Sequence, residues 1–250
     1  MAIKLVTFFI FLLIYCQLGF SDQKLLLVGD NNNFPVCFEN EDGTIIGIDV
    51  DIIKEIAQRI ELDIDIKLAP WPRVLFMVKN GKAHGGFPFF VTPERLEFSS
   101  YTKIPLHRAV FMAFAKPGNE FNFEKISDLH GKVVGINRGF SISPEFDAAV
   151  NNGSLNVYGV DEIHQLVEML MKNRIDVIVA KRSTIAGYLK NTEQKLTPLG
   201  AVNKGQGAFL VISKAAKIEN KERILQKINE VMAEMEVDGT IAKITKKYIE

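Results

Sequence analysis

Residues 80–101 read NGKAHGGFPFFVTPERLEFSSY. Residues 87–91 in this stretch are aromatic and β-branched, which predicts a buried strand. The strand stops at Thr92-Pro93-Glu94-Arg95, where a helix starts. Thr92 suits the N-cap, Pro93 the first helical position, and Glu94 the positive end of the helix dipole. Arg95 then falls in the first turn, beyond the carboxyl end of a strand, where open α/β sheets bind ligands. A guanidinium fork beside free helix N–H groups suits a carboxylate or phosphate; the alternative is a surface salt bridge.

The chain has 250 residues, room for one large domain or two modest ones. Its 47% hydrophobic and 24% charged content is that of a globular protein. Basic and acidic residues balance at 30 each without a Lys/Arg block, so nothing in the composition points to nucleic acid. Residues 1–21 read as a signal peptide. Lys4 gives the positive start, residues 5–15 form an apolar run too short to span comfortably, and Gly19 and Ser21 permit cleavage before Asp22. Cys16 offers a rival lipoprotein reading, which bulky Tyr15 opposes. Cleavage leaves Cys37 as the one cysteine, flanked by Phe34, Pro35, Val36 and Phe38, and so expected to be a buried inert thiol.

Working outward, residues 24–29 (KLLLVG) predict a central strand ending in the polar loop Asp30-Asn31-Asn32-Asn33. Ile52, Ile53, Ile56, Ala57 and Ile60 lie on one helix face, with Asp49 and Asp51 as cap and first-turn charges rather than metal ligands. Trp71 opens a helix just beyond the strand at residues 63–68. The apolar strand 109–115 is the expected first crossing between lobes. Past it, strand 132–136, the turn Asn137-Arg138-Gly139-Phe140-Ser141 and the start Ser143-Pro144 form another anion-friendly arrangement. It lacks a full GxGxxG or Walker pattern, so nucleotide binding is unsupported. Helix, Lys172-Asn173-Arg174 and strand 175–180 then repeat the earlier order of helix, Asn80-Gly81-Lys82 and strand. Two lobes of similar plan follow, with residues 207–213 as the returning strand.

Gly81-Lys82-Ala83, Thr92 to Arg95 and Tyr101, with Gly47-Ile48-Asp49-Val50-Asp51 and the C-terminal pattern around Asp238-Gly239-Thr240, resemble the family-3 extracellular solute-binding proteins of polar amino-acid ABC transporters. The resemblance implies an α/β, two-lobe periplasmic binding protein fold of type II. Lobe 1 is discontinuous (residues 22–113 and 206–250), and an inserted lobe 2 (114–205) is joined to it by two crossing strands. It implies that Arg95 holds the carboxylate of a small ligand, that Asp30 accepts from an ammonium, and that Trp71, Phe90, Thr92, Phe140 and Ser141 line the cleft, with Arg138 a further candidate. His84 departs from the usual Asp, and the strand after it is one residue short. Lys181 stands where the family commonly carries an acid, and a lysine has no acceptor to offer an ammonium.

The implied protein is a monomeric periplasmic receptor that closes on an amino acid or related organic acid and delivers it to an ABC permease, with no enzymatic activity and no cofactor or metal. A dehydratase-like enzyme on the same fold and a ligand-sensing module are the alternatives. Lys181 argues against a carboxylic general acid there, and His84, His107, His130 and His164 show no ligand spacing. A chain ending at Glu250 without a transmembrane or kinase segment disfavours the sensor.

Overall fold

The KLLLVG run forms β1 (Leu25–Asp30), and its alternation sets what packs on either side. Leu25 and Leu27 face one layer, Leu26 and Val28 the other. The protein is seen here in a computed structural model that describes residues 23–31, 33–190 and 192–249. The expected signal peptide, its cleavage point before Asp22, and Asn32 of the polar loop lie outside the described residues.

After β1 come β2 (Phe38–Glu39), β3 (Ile45–Ile46), α1 (Ile48–Arg59), β4 (Ile64–Ala69), α2 (Trp71–Lys79), β5 (Gly85–Phe89), α3 (Pro93–Phe98), β6 (Ser99–Tyr101) and β7 (His107–Ala109). A second group comprises β8 (Phe111–Ala115), a 3-10 turn (Ile126–Leu129), β9 (Val133–Asn137), α4 (Pro144–Asn151), β10 (Asn156–Val160), α5 (Ile163–Met171), β11 (Val177–Lys181), α6 (Arg182–Lys190) and β12 (Thr197–Ala201). The chain closes with β13 (Gln206–Ser213), α7 (Lys221–Val237) and α8 (Thr240–Ile249).

Two main sheets result, ordered β4-β1-β5-β13-β6, with β7 also on β13, and β10-β9-β11-β8-β12, beside a small antiparallel β2-β3 pair. In each main sheet, the first three strands are parallel and the later ones antiparallel. Helices α1 and α7 bury Ile52, Ile56, Ile228 and Met232 with Leu25 and Leu27, while α2 places Val74 and Val78 with Val28. The second sheet is sandwiched in the same way. Val177 and Val179 belong to the layer of Phe146 on α4, and Ile178 and Ala180 to that of Leu166 and Leu170 on α5. The repeated turn is also structural. Lys82 N donates to Met77 O and Arg174 N to Met169 O, both at 2.8 Å, around Gly81 and Asn173 at positive φ. These are matching Schellman-type helix ends.

Three expectations change. The strand predicted over 87–91 spans Gly85–Phe89 instead, because a close approach requires the glycines: a Cβ on Gly85 would lie 2.4 Å from Val211 O. Phe209 faces Phe89 but Val211 faces Gly86, so β5 carries one residue more than β13 there. Such a bulge reverses the side-chain phase. Phe87 therefore joins the core under α1, and Phe89 joins Trp71 on the other side. The strand predicted over 109–115 breaks at Val110, with β7 in the first sheet and β8 in the second. The crossing thus precedes Phe111, a few residues before the expected boundary at 113, since Phe111–Ala115 pairs with β11 and β12. The chain returns to the first sheet between Ala201 and Gln206.

Finally, Asp49 does not cap α1. Gly47 is the N-cap, and the fully buried Asp49 carboxylate meets His107 Nδ1 at 2.8 Å. Asp51 accepts from Tyr248 Oη and Lys247 Nζ, both at 2.7 Å, tying α8 to α1.

Candidate ligand-binding site

The parallel strands of both sheets deliver their carboxyl ends to one place. Asp30 is the last residue of β1, Trp71 begins α2 just past β4, Pro88 is near the end of β5 and Phe90 directly follows it. Phe140 and Ser141 follow β9, and Lys181 ends β11. These residues and Arg95 line a small cavity between the sheets.

Arg95 is positioned by its cap. Thr92 Oγ accepts from Arg95 N at 3.2 Å, fixing the first turn of α3. Arg95 as a whole is 5% exposed. It donates to Phe90 O at 3.2 Å and to Gly139 O at 3.0 Å, and stacks 5.2 Å from the Trp71 ring and 5.9 Å from that of Phe89. Burial pulls its pKa down, opposed by the charges of Tyr101, Asp147 and Glu94; a guanidinium stays protonated regardless. Tyr101 Oη donates to Phe90 O at 3.0 Å, and burial pushes its pKa up to about 12.

Gly139, at φ 73° in a left-handed turn, aims its carbonyl across the cavity. Trp71 Nε1 donates to it at 3.0 Å alongside Arg95, and Phe140 sets its ring edge-on to Trp71 at 6.0 Å. Ser141 Oγ donates to Asp147 Oδ2 at 2.5 Å, and Ile142 N to Asp147 Oδ1 at 3.0 Å, so the first turn of α4 holds this loop.

Lys181 is 4% exposed. Its ammonium donates to Asn33 Oδ1 at 2.9 Å and lies 4.9 Å from the Phe140 ring and 5.6 Å from that of Phe90. Burial lowers its pKa; the Asp30 charge is the largest influence in the other direction, while Arg95 adds to the lowering. Among the described residues, no carboxylate reaches Arg95 or Lys181 at ion-pair distance. Behind the wall, Cys37 Sγ donates to Asp30 O at 3.0 Å, and burial raises its pKa well above the ordinary thiol value.

Asp30, Trp71, Phe90, Arg95, Phe140, Ser141 and Lys181 are thus gathered around one cavity. Thr92 is outside that lining and acts on Arg95 through its cap. Arg138 turns away, its guanidinium on Asp161 at 3.2 Å and Gly159 O at 3.2 Å. Sequence reasoning missed Pro88 and Asn33. Asn33 sat within a polar loop recognised only as a loop, and its partner is remote in sequence. His84, odd in the sequence, accepts from Leu26 N through Nδ1 at 2.8 Å and so serves β1. Among the described residues, no group of three His, Cys, Asp or Glu side chains is placed to hold a metal ion.

Two α/β lobes, joined by two chain crossings and facing each other across a cavity at their strand ends, define the type II periplasmic binding protein architecture. A solved ancestral arginine-binding protein bound to arginine shares it, with a TM-score of 0.77 at 23% identity over 91% of this chain and 98% of that one. The sequence pattern of the bacterial extracellular solute-binding proteins, family 3, matches residues 25–250, and the chain belongs to that family. Its relatives include the probable amino-acid-binding protein YxeM of Bacillus subtilis (strain 168), 25% identical over 231 residues, 91% of this chain and 85% of YxeM. The L-cystine-binding protein TcyJ of Escherichia coli (strain K12) is 24% identical over 230 residues, 91% of this chain and 84% of TcyJ. Family and relatives alike are binding proteins. No helix of the described residues is long and apolar enough to cross a membrane.

Proposed function

We propose that the protein is a non-enzymatic receptor that closes on a small carboxylate-bearing solute, an amino acid or related organic acid, and presents it to an ABC permease. Residues 22–110 with 206–250 form lobe 1 and residues 111–205 lobe 2, a division that follows the two sheets. Arg95 takes the carboxylate, Asp30 faces the opposite charge of the ligand where one is present, and Trp71, Phe90, Phe140, Ser141 and Lys181 complete the cage. Thr92 acts through the helix cap. The protein works as a monomer in the periplasm after loss of residues 1–21.

The observation that carries this reading is Arg95 itself. It is a buried guanidinium that faces a cavity shared by two lobes, and among the described residues it meets carbonyls and ring faces but no carboxylate at ion-pair distance. Burying a charge is costly unless it is paired, and a ligand carboxylate supplies the pair. A solute that touches both lobes favours the closed arrangement through its differential affinity for it. The test is a thermal-shift and calorimetric screen of small carboxylates against the protein and Arg95→Ala. The reading expects ligands that stabilise the protein and lose that effect in the variant. If no carboxylate binds, or if Arg95→Ala binds the hits unchanged, the reading is wrong.

A further inference from the structure

Resting on the reading of Arg95 as a carboxylate anchor, we infer that the cavity selects a solute of net charge −1 that places one carboxylate at Arg95 and a second acceptor group at Lys181. Two chemistries meet that description: an acidic amino acid, and an amine-free hydroxy or oxo acid. A neutral α-amino acid does not.

The charges on the wall come first. Among the described residues, Arg95, Lys181 and Asp30 are the charged residues that line the cavity, two cations to one carboxylate. Three further carboxylates, Asp147, Glu94 and Asp49, act on these cations from outside the lining. Asp147 is turned onto Ser141 Oγ and Ile142 N, and Asp49 onto His107 Nδ1, and neither belongs to the lining. Asp49 influences Lys181 less than Asp30 does. A zwitterion of zero net charge leaves the excess in place, whereas a net single negative charge removes it.

Donors and acceptors tell the same story. Lys181 carries three donors, and its one hydrogen bond among the described residues goes to Asn33 Oδ1. Asn33 is 1% exposed and lies behind the lining, so it holds the ammonium in place from the far side. An acceptor group arriving in the cavity therefore meets an ammonium with donors to spare. The rings of Phe90 and Phe140 already hold Lys181 by their faces and add nothing that accepts from a second ammonium in the plane of the contact. Asp30 remains as the place for an amine, which is why an acidic amino acid fits as well as an amine-free acid.

The experiment is isothermal titration of the protein with L-alanine and L-serine, with L-aspartate, and with lactate and pyruvate. At least one of the net −1 arms is expected to bind about tenfold or more tightly than the neutral amino acids. Tight aspartate with weak lactate and pyruvate identifies an acidic amino acid, and the reverse identifies an amine-free acid. Lys181→Gln is expected to lose at least about tenfold in affinity for the preferred anion while affinity for the neutral amino acids holds or rises. Asn33→Asp places a carboxylate on Lys181 from the protein's side and is expected to act in the same direction, which keeps the test open if Lys181→Gln fails to fold. The inference is overturned if alanine or serine binds as tightly as every anion, if no net −1 solute binds, or if the foldable variant leaves the preference unchanged. Carboxylate binding that depends on Arg95 but ignores net charge would sink this inference and leave the receptor reading standing.

Discussion

Arg95→Ala is the sharpest perturbation of the proposed site. In the native chain the guanidinium gives up water for two carbonyls, Phe90 O and Gly139 O, and for the faces of Trp71 and Phe89. Phe90 O keeps a second donor in Tyr101, and Gly139 O keeps Trp71 Nε1, so truncation orphans neither carbonyl. What it orphans is the carboxylate of the ligand, left in a pocket with its counter-charge gone. Removing one partner of a buried, hydrogen-bonded charge pair costs about 2–5 kcal/mol. At about 1.4 kcal/mol per factor of ten, that is a loss of roughly thirtyfold to several thousandfold in Kd. Arg95→Lys keeps the charge but loses the fork and the stacking, so its loss should be intermediate. The assay is calorimetric titration of the best carboxylate ligand, with a thermal melt of each variant without ligand. Because burial already works against the charged form of Arg95, the unliganded Arg95→Ala melt should match or exceed that of the native protein. Equal affinities in native protein and Arg95→Ala, with both folded, would refute the reasoning.

Other outcomes follow from the same geometry. Trp71 donates across the cavity to Gly139 O, so ligand should change tryptophan emission and reduce the radius of gyration in solution scattering; a tight ligand that does neither argues against lobe closure. Tyr101 has a pKa of about 12 in the fold against about 10 when unfolded, so the unfolded chain releases its proton first as pH rises between those values. Stability should fall through that window, and less steeply in Tyr101→Phe; denaturant titrations at pH 9 and 11 that give both proteins the same loss would contradict this. Cys37, buried with a raised pKa, should resist alkylation by iodoacetamide at pH 8 in the native protein and react once denaturant is added. Rapid labelling under native conditions would show that the wall behind Asp30 opens.

Much of this was legible because it is local. Thr92-Pro93-Glu94-Arg95 contains its own cap, and the structure uses it as read, with Thr92 Oγ on Arg95 N. The repeated helix–turn–strand order was visible for the same reason: Gly81 and Asn173 are turn formers beside their own helices. The errors came from partners brought together only by the fold. Asp49 has the sequence position of a first-turn charge, yet His107, far along the chain, takes its carboxylate. Asn33 and Lys181 come from different lobes, and no spacing rule connects them. The phase of β5 escaped because a bulge adds a residue that alternation cannot foresee, placing Phe87 and Phe89 on opposite sides.

The placement of β13 has a consequence for how the molecule is built. This strand lies inside the first sheet, between β5 and β6, but it follows the whole of the second sheet in the chain. During synthesis or refolding, β5 therefore waits with an unpaired edge while residues 111–201 form, and those residues can complete their own sheet without it. Pairings of such long sequence separation form late. An open edge that carries Phe87 and Phe89 is, meanwhile, a template for another chain. The inserted lobe should thus mature first and the outer lobe last, which makes the interval before β13 docks the point of greatest exposure to aggregation.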